Sequence, residues 1–304
     1  MTGRERVMTV LAGEIPDRVP HFELDFQLTK EFFCVPKPDL RNYSDNTAGK
    51  RQFAKDHLDL WMKITEKFDW SALPPGQDEY LIKAAKDRWG EKAAVYAFDW
   101  DGVFWMMDGN DMEGFAVKLY DDLPSVKEEA EKKCEKAIES INHLIDWGAD
   151  FIVTAYDFGY NKGPYISPEI FAEIDTPYLK RIYDVIHLRG KKGILHSDGD
   201  LNLLLEQLVG AGIDGYQSVD PQGGMDIALV RKKYPNMILM GNVQCSALQD
   251  TDEERIRKSV RYAMESAKPG GRYIFSTSNC IFAGMPVKSY EIMLDEYRKL
   301  ALYN

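Results

Sequence analysis

From Gly148 onwards the chain alternates between two hydrophobic rhythms. Short apolar runs, rich in β-branched and aromatic side chains, give way to longer stretches where apolar residues return every third or fourth position. The first pattern predicts buried strands and the second amphipathic helices. Strands are expected at Asp150–Asp157, Lys192–His196, Ile213–Val219, Met237–Val243 and Arg272–Ser276. Helices are expected at Ser167–Arg189, Leu201–Ala211, Met225–Tyr234, Thr251–Ala267 and Val287–Leu302. Gly148, Gly190, Gly212 and Gly270-Gly271 follow helical stretches, where C-cap residues belong.

The first half is less regular. Val7, Val10 and Leu11 share one face of a short helix, Gly3–Gly13, which Pro16 and Pro20 end. Val19–Phe26 alternates, with Phe22, Leu24 and Phe26 opposite His21, Glu23 and Asp25; that second face is either a barrel lumen or solvent-facing. Charged helical pieces surround Gly49–Phe68, and Asp69–Leu73 reads as a short strand. In Asp87–Asp108, two extended runs flank Asp99-Trp100-Asp101-Gly102, a hairpin signal. The aromatics there, Trp105 among them, either cover a pocket mouth or pack the hairpin onto the domain. Pro124–Trp147 is the clearest helix, with Ser125 and Glu128 spaced as a capping box.

Five successive strand–helix units after two earlier strands predict a single domain over residues 1–304. Its expected form is a distorted (β/α)8 TIM barrel with the aromatic hairpin inserted near its mouth. The eighth strand has no evident position. No GxGxxG follows a strand, which counts against a dinucleotide fold.

Composition narrows the partners. The 304 residues carry a net charge of −11, with no basic cluster, so neither nucleic acid nor a membrane is an expected partner. Cys34, Cys134, Cys245 and Cys280 form no CxxC, and no signal-peptide pattern opens the chain; free thiols and a cytoplasmic location are expected.

In a parallel barrel all strand tips face one mouth. Here the tips carry Asp157 and Tyr160; His196, Ser197 and Asp198; Gln217, Ser218 and Asp220; Asn242 and Gln244; and Ser276 to Cys280. His196, Asp157 and Asp198 are the candidate catalytic groups. Tyr160, Ser197, Gln217, Asn242, Trp105 and Glu23 are the candidate substrate contacts. His196, Asp198 and Cys280 offer imidazole, carboxylate and thiolate, three ligands with an open fourth position, as in a catalytic zinc site. Against this, Asp198 is equally suited to capping the next helix, and Cys280 to a buried free thiol.

Several phrases, in order, resemble the uroporphyrinogen decarboxylase superfamily: Asp17-Arg18-Val19-Pro20, Asp87-Arg88-Trp89-Gly90, Gly148-Ala149-Asp150, Ser167-Pro168-Glu169, His196-Ser197-Asp198-Gly199, Gly212-Ile213-Asp214, Gly241-Asn242 and Gly270-Gly271. The resemblance spans nearly the whole chain and implies the same distorted barrel. One branch removes acetate carboxyls from a tetrapyrrole and begins with an arginine-rich phrase; the corresponding strand here is acidic, His21-Phe22-Glu23-Leu24-Asp25-Phe26. The other branch moves methyl groups between a cobalamin protein and a thiol or other acceptor, with zinc held by a His-x-Cys and a distant Cys. His196 and Cys280 match that pattern, and Asp198 stands where the first cysteine would be. The expectation is a methyltransferase acting on a small-molecule methyl donor or acceptor, with zinc, and with a corrinoid (cobalamin) supplied by a partner protein. A tetrapyrrole decarboxylase and a tetrapyrrole- or corrinoid-binding subunit without catalysis are the alternatives.

Overall fold

The strands line up in chain order. In the computed structural model, which describes residues 1–73, 78–103 and 112–303, seven parallel strands form one sheet. They are β1 (Ala72–Leu73), β2 (Ala94–Asp99), β3 (Phe151–Ala155), β4 (Gly193–His196), β5 (Gly215–Ser218), β6 (Ile238–Val243) and β7 (Tyr273–Thr277), each bonded to its neighbours in sequence. Helices lie between successive strands, as a parallel connection requires. The strands are buried almost throughout, which explains why they read as continuous apolar runs rather than alternating ones.

The sheet curls until both edges reach one segment. Ser71 N donates to His21 O at 2.7 Å beside β1, while Phe275 N in β7 donates to Pro20 O at 2.9 Å. Further along, Gln27 N donates to Ile281 O and Ile281 N to Asp25 O. The expected strand Val19–Phe26 is therefore reduced to isolated bridges, His21 with Phe275 and Phe26 with Ile281. Pro20 lacks the N–H that a regular ladder would use.

Residues 94–99 correct another expectation. They are not the first arm of a hairpin: β2 pairs parallel with β1 on one side and β3 on the other. The strand without a position in the sequence is thus this one. Trp89 and Tyr96 pack in the core, whereas Phe98 and Trp100 face a cavity. Trp105 and the rest of the second run beyond Val103 lie outside the described residues.

Helix ends follow local chemistry. The helix Leu123–Asp146 is capped by Asp122, whose carboxylate accepts from Ser125 N at 3.2 Å, so Ser125 is not the cap. Pro124 fits the first turn, where its missing N–H costs nothing. The stretch 167–189 splits at Asp175 into Pro168–Ile174 and Thr176–Leu188, with Pro177 opening the second helix. Among the described residues no helix is long and apolar enough to cross a membrane.

Candidate functional site

Strand register assembles the site. Ala155 lies opposite His196, and His196 opposite Gln217, so the three form one row across β3, β4 and β5. Side chains alternate along a strand, so positions two residues further on, Asp157 and Asp198, emerge on the same face. Donor atoms of Asp157, His196 and Asp198 all lie within 4.8 Å of one another, and His196 Nε2 is 3.8 Å from Asp157 Oδ1.

Each of the three is held from behind. Gln217 Nε2 donates to Thr277 O and Ser278 O, both at 3.3 Å, so its Oε1 faces His196 Nδ1. An amide oxygen can only accept; the proton must therefore sit on Nδ1, leaving the Nε2 lone pair open toward the carboxylates. Asp157 Oδ1 accepts from Asp198 N at 2.8 Å. Asp198 accepts from Ser218 Oγ at 2.6 Å and from Asn279 Nδ2. Ser218 and Val219 both have positive φ, 93° and 45°, a bend at the end of β5 that a non-glycine residue adopts only under constraint.

The cluster opens on a cavity of about 530 Å³, within the range of small-molecule sites. Phe53, Trp61, Phe98 and Trp100 supply aromatic walls; Asp25, Asp78 and Asp157 supply carboxylates. Lys37 is the one cation among the described lining residues, and it is ion-paired to Asp25. His57 Nε2 accepts from Trp61 Nε1–H at 2.6 Å. Burial and the charge of Lys37 push its imidazole down to about 4, so it is neutral at physiological pH.

Not every expected residue arrives here. Cys280 lines the same cavity but stands outside the 4.8 Å cluster, which Asp157 completes instead. Burial, followed by nearby Asp25, Cys245 and Glu23, pushes its thiol well up. Glu23 reaches neither lumen nor solvent: fully buried, it accepts from Thr277 N at 2.9 Å and Thr277 Oγ1 at 2.6 Å and contacts His21. It fastens the N-terminal segment to β7. Ser197 Oγ accepts from Phe158 N at 3.0 Å, a loop contact in the interior. Tyr160 is half exposed on a small antiparallel ribbon, stacked on Tyr165. Asn242 donates to Val219 O at 3.1 Å and lines a separate depression beside the helix Glu253–Ala267. Gln217 is present, but as the partner of His196.

Phe53, His57 and Trp61 were not singled out from sequence, although their i, i+4, i+8 spacing on the helix Thr47–Phe68 is legible as one aromatic stripe. Lys37 carries no comparable signal, and only the fold brings it in; Asn279 was legible as a strand-tip residue, but its role as partner of Asp198 was not.

Two carboxylates and one imidazole with its Nε2 free are a donor set suited to a divalent first-row ion. The second row of partners, Gln217, Ser218 and Asn279, is what such ligands require for orientation. The residues fit a metal, though with oxygen donors where a thiolate was expected.

Solved structures place the architecture. A methyltransferase from Methanosarcina mazei superposes with a TM-score of 0.76 at 15% sequence identity, covering 98% of this chain and 99% of that one. A B12-independent methionine synthase from Shewanella sp. W3-18-1, in complex with selenomethionine, gives a TM-score of 0.51 at 12% identity over 83% of this chain and 86% of that one. At these identities the likeness is one of fold. No curated protein sequence matches significantly. The profile of the family described as uroporphyrinogen decarboxylase (URO-D) matches residues 93–300, from the start of β2 to the last helix. That match covers more than half of the sequence and takes in Asp157, His196 and Asp198; the chain belongs to the uroporphyrinogen decarboxylase family.

Proposed function

We propose that the protein is a methyltransferase that moves a methyl group between a small molecule in the mouth cavity and a corrinoid carried by a partner protein. On this reading Asp157, His196 and Asp198 hold a divalent metal, zinc in the first instance. The observation that carries it is the convergence of these three groups at adjacent strand ends, beside an aromatic-walled cavity. The fold shared with the Methanosarcina mazei methyltransferase supports it. Residues 20–27 then count as the eighth stave of a distorted (β/α)8 barrel, with the cavity at its mouth.

When bound, the ion would supply a Lewis acid for the heteroatom that gives up or takes the methyl group. The protein's own groups do the rest. Gln217 keeps the His196 proton on Nδ1 and so keeps Nε2 available. Asn279 and Ser218 aim the Asp198 carboxylate, and the Asp198 amide aims Asp157. Phe53, Trp61, Phe98 and Trp100 exclude water from the substrate.

The lining argues against decarboxylation of a tetrapyrrole. A substrate with many carboxylates needs several cationic partners, whereas the described wall offers Lys37, already committed to Asp25.

Elemental analysis of the purified chain is expected to find about one metal ion per chain. His196→Ala should remove both the metal and methyl transfer to a corrinoid protein while leaving the circular dichroism spectrum unchanged. A fully active enzyme without metal would overturn the reading.

A further inference from the structure

Taking the mouth cavity as the substrate site, we propose that its occupant is a methylated cation, a quaternary or tertiary ammonium compound. Four aromatic side chains, Phe53, Trp61, Phe98 and Trp100, share the cavity with the carboxylates of Asp25, Asp78 and Asp157. Ring faces attract cations through their quadrupole, and carboxylates add long-range attraction in a partly desolvated space. The protein's own chain already shows the preference: Lys37 Nζ lies 5.8 Å from the centre of the Trp61 ring and is ion-paired to Asp25. That position is a cation site filled by a tethered ammonium. A divalent ion held by Asp157, His196 and Asp198 would offset those two carboxylates only. Asp25 is offset by Lys37, and Asp78, whose Oδ1 accepts from Leu81 N at 3.0 Å as the cap of the helix Glu79–Trp89, forms no ion pair among the described residues and keeps a carboxylate in the wall. His57 adds no positive charge, since its imidazole is neutral near pH 7. An anionic substrate would find no uncommitted cation among the described wall residues.

The test is calorimetric titration of the intact chain with choline and with 3,3-dimethylbutan-1-ol, its neutral isostere, using acetate as the anionic control. Choline should bind at least about tenfold more tightly than the isostere, and acetate should not bind. Trp61→Leu should weaken choline about tenfold, while Trp61→Phe retains most of the affinity. Phe53→Leu, at a less buried position, should give a similar loss and stands in if the Trp61 variant does not fold. Lys37→Met should strengthen choline several-fold, because it frees both the Trp61 face and Asp25. Equal binding of choline and its isostere, or weaker choline binding in Lys37→Met, overturns the proposal. If choline fails yet a neutral methyl donor supports His196-dependent transfer to a corrinoid, only the cation inference falls. If choline binds as expected but no metal is found and no donor supports transfer, the methyltransferase reading falls and the cation site stands.

Discussion

His196 is prepared for its role by a glutamine. The Gln217 amide group is spent on two backbone carbonyls, so only its oxygen is left for the imidazole. The expected result is a His196 ring protonated on Nδ1, the less common neutral tautomer, visible by ¹⁵N NMR of the metal-free protein at pH 8. Gln217→Leu removes the acceptor. It should release the tautomer preference and, on the proposed reading, lower metal affinity by roughly 10–100-fold in chelator competition. Unchanged tautomer and affinity would show that Gln217 merely packs. At this scale the sequence was partly transparent. Polar residues at strand tips were correctly located as a group, because strand ends are marked by the break in apolar period. Their roles were not. Glu23, Ser197 and Asn242 are satisfied by backbone or neighbouring side chains, and nothing in a strand-tip position says whether a polar atom meets the chain or the cavity.

At the scale of elements, the loop after β4 decides how close the two carboxylates come. Gly199 has φ +83°, and a Cβ there would lie 2.5 Å from the carbonyl carbon of Gly159. Two loops that carry Asp157 and Asp198 are thus pressed together at a point where no side chain fits. Gly190 also has positive φ, +67°, but nothing lies within 4 Å of its added Cβ. Gly190→Ala should cost about 1–2 kcal/mol from backbone strain alone. Gly199→Ala should cost clearly more, since strain and steric conflict add, and it should loosen the metal site as well. Urea denaturation of both variants checks the order; equal losses would mean the loops are not in forced contact. Helices were legible here because caps and apolar spacing are local. Asp122 displaced Ser125 as cap because a proline is welcome in a helix's first turn. β2 was misread because an Asp-Gly turn signal is the same whether the strand before it pairs antiparallel or parallel.

Across the whole molecule, one buried carboxyl couples folding to pH. Asp99, at the end of β2, is fully buried and accepts from Tyr156 OH, a residue just past β3. Burial raises its carboxyl to about 7, against the lowering effect of the tyrosine hydrogen bond. An unfolded aspartate titrates near about 3.9. Between those values the native chain holds a proton that the unfolded chain has released. The associated stability is therefore fully present below about pH 4 and is lost as pH rises through about 7. Asp99→Asn should flatten this dependence: its melting temperature, relative to the native protein, should increase from pH 5 to pH 8. A difference that stays constant over this range would show that Asp99 is already ionised. The prediction concerns the difference between the two proteins, so other titrating groups cancel.

The sequence by itself determined the strand–helix alternation, the parallel sheet and the tips that carry His196, Asp157 and Asp198. These follow from apolar period and punctuation, which are short-range properties of a chain. Tertiary structure decided that Asp157 rather than Cys280 completes the cluster, that Glu23 is buried against Thr277, and that the stripe Phe53, His57, Trp61 walls the cavity. Those outcomes depend on the register between strands and on where a distant helix lands. Register is set by the packing of all strands at once, so no single stretch of the chain contains it.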